Sequence, residues 1–368
     1  MPRPAVVFGG PSPEHDISIL TGLQALRVLA EGGGDVVALY WSKTGDWFQV
    51  DRALEAKAYL EGVPRGAQKV EFVSGLHDGG FFATGGALRR RRPIEFDVAV
   101  NCCHGGPGED GHLQSLFDLS GIRYTGPTAR GAALGMDKLA FGGVVEAAGL
   151  PTLPRVAVTT ELAAVAFPAP WIVKPRFGGS SIGIEIVDDL ETAQALTRSS
   201  VHLREGAVLE PFLPDAVDLN VAVRSWPKPE LSAIERPTRS AGGFYSYDDK
   251  YSGGSGFASA PRELPAALPD EIETRVRETA LAVAELTLVR GAARVDFLWR
   301  GEDLWVNESN TVPGSLGLYL WRASGVTNAQ LLSDLIAEAG AAPAGQFSTA
   351  GADGRALAGA DNIAGKLA

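Results

Sequence analysis

The sequence predicts a multidomain protein of mixed α/β and α+β class, with a doubly wound parallel sheet in its amino-terminal third. Three observations carry that expectation. The apolar run Ala5 to Phe8 ends at Gly9-Gly10 and passes into Ser18 to Leu29, where apolar residues recur at helical spacing, so the chain opens as strand, glycine turn and helix. Val36 to Trp41 and Asp97 to Val100 are further strand-like runs; the second enters the glycine-rich loop His104-Gly-Gly-Pro-Gly-Glu-Asp-Gly111 and a helix-like stretch from His112 to Leu119. At 368 residues the chain exceeds one ordinary core, since domains average roughly 150 residues.

The remaining elements follow in order. Arg89 to Arg92 form a basic run before Pro93, expected to be a solvated loop without function. After Tyr124-Thr125-Gly126 and Pro127 the composition shifts to an alanine-rich helical segment, Met136 to Ala148, which sets a first domain boundary near residue 126. A hairpin is expected from strand Trp171 to Pro175, loop Arg176 to Ser181 and strand Gly183 to Val187, with a helix from Leu190 and strand Ala207 to Pro211 closing a domain over 127–210. The third domain, 211–368, offers alternation at Asn220 to Val223 and a polar, aromatic stretch from Gly242 to Gly256. A helix from Pro269 to Leu288, strands Ala293 to Trp299 and Leu304 to Asn307, and a loose tail from Ala341 complete it.

Composition excludes several function classes. Hydrophobic residues at 45% and charged residues at 21% fit a globular chain, and 33 basic against 44 acidic residues leave a net charge of −11, which repels nucleic acid. The two cysteines, Cys102 and Cys103, are adjacent and form neither a disulfide framework nor a spaced metal motif. No run approaches the ~18 apolar residues of a membrane span, and no signal-peptide pattern opens the chain, so a cytoplasmic protein without membrane partners is expected.

Three segments carry chemistry. In Val173-Lys-Pro-Arg-Phe-Gly-Gly-Ser-Ser-Ile-Gly183 a lysine leaves a strand before a small-residue loop whose N–H groups and hydroxyls suit a phosphate; an ordinary mobile hairpin tip reads the same way. In extended chain Arg294 and Asp296 share a face, as do Glu308 and Asn310, so two neighbouring strands can bring together two carboxylates, an amide oxygen and a guanidinium. Hard oxygen donors of that kind hold Mg²⁺ beside nucleotides, although a solvent-facing pair of charged strands also fits. Tyr245-Ser-Tyr-Asp-Asp-Lys-Tyr251, flanked by glycines, reads as a mobile flap or a plain surface loop. Glu14-His15 stands where the first strand ends, the place at which open α/β sheets bind ligands, or simply begins a helix.

Together these segments resemble the ATP-grasp superfamily, and within it the D-alanine:D-alanine ligases, over the chain up to about residue 340. The resemblance is ordered: Gly9-Gly-Pro-Ser-Pro-Glu-His-Asp-Ile-Ser18, His104 to Gly111 with Tyr124-Thr-Gly126, Met136-Asp-Lys138, Lys174 with its Gly-Ser-Ser loop, Phe244 to Tyr251, Arg294-Val-Asp296, and Glu308-Ser-Asn-Thr-Val-Pro-Gly314. It implies a three-domain ATP-grasp fold and ATP-dependent joining of two D-alanine molecules for cell-wall synthesis. Another dipeptide or amino-acid amide as product, and a nucleotide-binding regulator without catalysis, are the alternatives.

By the same resemblance Lys138, Lys174 and Lys250 contact the nucleotide, Ser180 and Ser181 sit in the phosphate loop, and Glu210, Phe212 and Leu213 line the adenine pocket. Asp218 holds the ribose, with Asp215 as the alternative because the spacing from Glu210 is one residue longer than in the family. Asp296, Glu308 and Asn310 bind two Mg²⁺ ions, or Mn²⁺, while Arg294 and the Gly314 N–H steady the tetrahedral intermediate. Glu14 anchors the first amino group, Ser180 and Tyr251 orient it, and His104, Ser315 and Tyr319 complete the substrate set. The family's second-substrate serines are replaced here by Gly317 and Tyr319. A homodimer is implied as well.

Overall fold

The computed structural model describes residues 2–84, 91–238, 262–342 and 347–358. Three sheets organise them. The first has seven strands in the order β6-β5-β4-β3-β2-β1-β7. Its centre is β1 (Pro4–Gly9), parallel to β2 (Val37–Trp41) and to β7 (Val98–Asn101), with α1 (His15–Glu31) between β1 and β2 in sequence. Beyond β2 the sheet continues as an antiparallel meander through β3 (Trp47–Val50), β4 (Gln68–Val73), β5 (Gly80–Ala83) and the two-residue edge β6 (Arg92–Pro93). The sequence reading held the parallel centre and not this extension. Of the basic run, Arg92 belongs to that edge strand rather than to a loop, and Arg91 pairs with Glu71 at 2.9 Å; Arg89 and Arg90 lie outside the described residues.

Strand alternation splits β1 between two cores. Val6 and Phe8 pack with α1, whose Gly22 lies so close to Phe8 that a Cβ there would meet Phe8 Cβ and Cγ at 2.5 Å. Ala5 and Val7 pack on the other face with Leu113 and Phe117 of α2 (His112–Ser120). The double winding therefore follows from period-2 burial on a sheet with helices on both faces.

After α2 come α3 (Ala129–Met136) and α4 (Lys138–Ala147). The alanine-rich segment is broken at Asp137, whose carboxylate accepts the N–H groups of Leu139 and Ala140 at 3.1 Å each and so caps α4. That cap sets Lys138 at the first position of the helix.

The second sheet is antiparallel, β10-β9-β11-β8, from β8 (Val156–Ala157), β9 (Trp171–Pro175), β10 (Glu185–Val187) and β11 (Ala207–Pro211), with α5 (Leu190–Ser199) against it. The third, β14-β13-β12-β15-β16, joins β12 (Val217–Arg224), β13 (Glu230–Pro237), β14 (Arg262–Glu263), β15 (Ala292–Arg300) and β16 (Asp303–Asn310) in antiparallel register. One of its faces is apolar, packing Val221, Val295, Phe297 and Val306 on α6 (Asp270–Leu286) and on Phe141 and Val145 of α4. Two last helices, α7 (Leu318–Ala323) and α8 (Asn328–Ala341), return the chain to the first sheet: Leu320, Trp321, Leu331, Leu332 and Leu335 share a core with Val6, Phe8 and Leu26. The tail beyond carries only a short exposed helix, Arg355–Ala358, among its described residues.

Candidate active site

All three sheets converge on one open cleft enclosing about 1580 Å³, solvent at its mouth included. Its floor is the polar face of the third sheet. Register places Glu235 beside Asn220, Asn220 beside Asp296 and Asp296 beside Glu308, one residue from each of four adjacent strands. Arg294 and Asn310 form the next row, also as register partners. Because side chains alternate along a strand, this polar row is the necessary complement of the apolar face below it.

The groups of the two rows hold one another. Arg294 Nε and Nη2 donate to the two oxygens of Asp296 at 2.6 Å each, and Asn310 Nδ2 donates to Asp296 Oδ2 at 2.9 Å. Burial works against the charge of Arg294, but Asp296 outweighs it, so the guanidinium is a fixed positive charge. Glu308 faces Lys138 Nζ at 3.4 Å. Two carboxylates and an amide oxygen on neighbouring strands are a hard-oxygen set of the kind that fits a divalent ion also bound by water and phosphate. Among the described residues no group of three or more His, Cys, Asp or Glu forms a self-sufficient metal cage.

Opposite the floor stand two lysines. Lys174 on β9 donates to Glu210 Oε2 at 2.8 Å and to Asn307 Oδ1 at 3.0 Å, and Lys138 donates to the Gly178 carbonyl. Glu210 is 1% exposed; burial pushes its carboxyl up, yet Lys174 and Arg155 together hold it below the usual carboxylate range. Phe212, Leu213 and Asp218 line the same end of the cleft, whereas Asp215 is exposed and absent from the lining.

The loop between β9 and β10 is bent by two consecutive left-handed residues, Ser180 at φ 52° and Ser181 at φ 59°, with Ile182 N–H returning to the Gly179 carbonyl at 3.1 Å. Two left-handed central residues closed by that bond form a type I′ turn at the tip of the hairpin. Ser180 Oγ also donates to Glu14 Oε1. Glu14, 9% exposed, is flanked by glycines: a Cβ on Gly179 would lie 2.9 Å, and one on Gly105 2.8 Å, from Glu14 Oε2.

The turn that carries Gly314 is tied to the first sheet's loops. The Val312 N–H donates to Glu109 Oε1 at 2.8 Å, and the Val312 carbonyl accepts from His104 Nδ1 at 2.8 Å. That leaves His104 Nε2 to accept from the Thr21 hydroxyl at 2.8 Å, while Thr21 Oγ1 accepts the Ser315 N–H at 3.0 Å. Burial lowers the His104 imidazole to about 4, with Arg294 adding to the effect, so the ring is neutral. Glu109 moves the other way, to about 7, through burial and the charge of Glu14.

Ser315 and Tyr319 adjoin the cleft through Gly314 and Glu235, which line it. The Ser315 N–H donates to Thr21 Oγ1, and the Tyr319 hydroxyl donates to Glu235 Oε2 at 2.8 Å, on the cleft face of the third sheet. Lys250 and Tyr251, with the whole flap from Gly242 to Gly256, lie outside the described residues. Cys102 and Cys103 are buried, and burial pushes the Cys103 thiol up to about 12, which suits packing and not nucleophilic work. Sequence reasoning passed over Glu109, Asn307, Glu235, Thr21 and Arg155. Glu109 stands inside the quoted His104–Gly111 loop and Asn307 ends an expected strand, but nothing in spacing alone marks a carboxylate or amide that acts through another residue.

The chain matches two family models, described as D-ala D-ala ligase N-terminus over residues 3–127 and D-ala D-ala ligase C-terminus over residues 134–337. It is 30% identical over 353 residues to a D-alanine–D-alanine ligase of Bradyrhizobium sp. (strain ORS 278), covering 92% of this chain and 95% of the relative. To the D-alanine–D-alanine ligase of Arthrobacter sp. (strain FB24) it is 33% identical over 358 residues, 91% and 93% of the two chains. Among solved structures, the D-alanine-D-alanine ligase of Coxiella burnetii superposes with a TM-score of 0.75 at 22% identity over 92% of this chain and 93% of its own. The VanG D-Ala:D-Ser ligase of Enterococcus faecalis does so with 0.73 at 24% identity over 92% and 99%. Sequence likeness of this extent, together with the fold and the ordered cleft, establishes that the chain belongs to the D-alanine–D-alanine ligase family.

Proposed function

We propose that this protein is an ATP-dependent ligase that joins two D-alanine molecules into D-alanyl-D-alanine, a building block of the bacterial cell wall, through an acyl phosphate, releasing ADP and phosphate. The observation that carries the reading is the meeting, in one cleft, of Lys138 and Lys174 with Asp296, Glu308 and Asn310 of the third sheet, and with Glu14 from the first sheet's loop.

The chemistry follows from that layout. A carboxylate oxygen of the first amino acid attacks the γ-phosphorus of ATP, the bond to the bridging oxygen breaks, and ADP leaves. Lys138, Lys174 and the N–H groups at Ser180 and Ser181 neutralise phosphate charge while Glu14 holds the ammonium of that amino acid. Asp296, Glu308 and Asn310 would hold Mg²⁺, or Mn²⁺, which when bound supplies further charge neutralisation. The amine of the second amino acid, having lost a proton, then attacks the acyl carbon; the tetrahedral oxyanion is met by Arg294 and the Gly314 N–H, and phosphate departs as the peptide bond forms. Phe212 and Leu213 face the adenine and Asp218 the ribose. By the family resemblance Lys250 and Tyr251, which lie outside the described residues, would complete the set.

Tyr319, which stands where the family has a serine, donates its hydroxyl to Glu235, a residue that itself lines the cleft. His104 and Ser315 act through the backbone of the 312–315 turn. We assign domains to 1–126, 127–210 and 211–368, and a cytoplasmic homodimer. No helix among the described residues is long and apolar enough to cross a membrane. The test is isotopic: with D-alanine labelled in both carboxylate oxygens, one label must appear in inorganic phosphate. Unlabelled phosphate alongside dipeptide would remove the acyl phosphate from the account.

A further inference from the structure

Behind the cleft, and not part of its lining, Arg155 is buried with 4% of its side chain exposed. It follows α4, just ahead of β8, and touches three residues that do line the cleft. Nη1 donates to the Lys138 carbonyl at 3.0 Å, Nη2 donates to the Asn307 carbonyl, and Nε faces Glu210 Oε1 at 2.8 Å. The last contact is an ion pair and not an aligned hydrogen bond, since neither atom finds a hydrogen-bond partner of good geometry. One planar guanidinium thus spans the start of α4, strand β11 and strand β16, which belong to the two sheets facing each other across the nucleotide end. The fork suits this task because its donors are fixed relative to one another, which an ammonium cannot match.

The surrounding chain makes room for it. Gly142 on α4 has no side chain where the guanidinium crosses: a Cβ there would lie 2.7 Å from both Arg155 Cδ and Nη1. Phe141, one residue earlier, places its ring 6.0 Å from the guanidinium carbon. Glu210 is consequently held from two sides, Lys174 on Oε2 and Arg155 on Oε1. Of those cations Lys174 is the one that lines the cleft, and the phosphates draw on it. Arg155 remains, so Glu210 keeps a counter-charge and a fixed position whichever way the lysine turns.

From this geometry we infer that Arg155 is a positioning residue for the nucleotide subsite, holding Lys138, Glu210 and Asn307 in one arrangement through contacts to two carbonyls and a carboxylate. The inference rests on the ligase reading for the identity of the nucleotide, and its test separates the two. The full-length enzyme and its Arg155→Met, Arg155→Lys and Gly142→Ala variants are compared in steady state and in equilibrium titration with ATP and Mg²⁺, with thermal melts to verify folding.

Arg155→Met is expected to raise the KM and dissociation constant for ATP on the order of tenfold while the KM for D-alanine stays within about twofold. Arg155→Lys, which restores the charge but not the fork, is expected to recover part of that loss, and Gly142→Ala, which displaces the same guanidinium, to shift ATP in the same direction. In a Glu210→Gln background the Arg155→Met effect on ATP should shrink. A folded Arg155→Met enzyme with unchanged ATP affinity, or one in which both KM values rise alike, overturns the inference and leaves the ligase reading intact. If Arg155→Met does not fold, an unshifted ATP affinity in Gly142→Ala and Arg155→Lys overturns it equally. A wild-type protein that binds ATP but forms no dipeptide sinks the ligase reading, while the ATP titrations still decide the role of Arg155.

Discussion

Glu109 and Val312, which lie 203 positions apart in the chain, are joined by a 2.8 Å hydrogen bond from the Val312 N–H to the Glu109 carboxylate. His104 holds the carbonyl of the same residue, so the turn leading to Gly314 is gripped on both of its polar edges by one glycine-rich loop. Glu109 also accepts the Gly105 N–H at 3.0 Å, which keeps that loop folded around it. Removing the carboxylate in Glu109→Ala should free the turn and, on the mechanism proposed above, shift the Gly314 N–H from the position assigned to it. We expect kcat for dipeptide formation to fall by about 10²-fold, with a smaller change in ATP affinity, measured by coupled ADP release and product mass.

His104 gives the acid side of stability its slope. Its folded value of about 4 lies below the ordinary 6.5, so its contribution is complete above about pH 6.5 and is lost as pH falls through about 4. The difference in unfolding free energy between wild type and His104→Asn should therefore shrink by up to about 3 kcal/mol from pH 7 to pH 4 in urea titrations. A difference constant across that range would contradict the buried neutral ring.

Glu109 acts in the opposite sense. Its carboxyl is raised from 4.5 to about 7, so the stability it contributes is complete below about pH 4.5 and is lost as pH rises through about 7. Glu109→Gln, which removes the titration, should lose less stability than wild type between pH 5 and pH 8, read from thermal melts.

Gly179 and Gly105 stand against Glu14 because a side chain would enter its carboxylate. Gly179→Ala is expected to raise the KM for the first D-alanine by about tenfold while leaving the fold intact, since the clash is with a side-chain end at the cleft.

Glu308→Gln removes one of the two carboxylates of the proposed metal-binding set and leaves Lys138 facing a neutral amide. Turnover should fall by at least about 10²-fold with little change in melting temperature, and raising Mg²⁺ should recover only part of the loss.

Much of this site is legible in the amino-acid order because local patterns encode it. The i, i+2 pairs Arg294/Asp296 and Glu308/Asn310 share a face by strand geometry alone, and β9 and β11 begin and end where their apolar runs do. What escapes local reading is what register decides. Glu235 and Asn220 join the floor only because β13 and β12 align them with Asp296, and Glu235 sits in a strand the sequence reading did not contain. Strands β3 to β5 were missed for a related reason: they are short, mix polar with apolar residues, and owe their order to partners such as Trp41 and Trp47, which stack 4.6 Å apart. Likewise the C-terminal helix α8 finds its core 300 residues upstream, against α1, a pairing that no window of sequence contains.

The most direct measurement of the central claim is ADP release by the purified enzyme with ATP and Mg²⁺ across a panel of amino acids, with products identified by mass. We predict release that depends on D-alanine, one D-alanyl-D-alanine per ADP, and its loss in Glu308→Gln. ADP release indifferent to D-alanine, or coupled only to a different amino acid, would contradict the account.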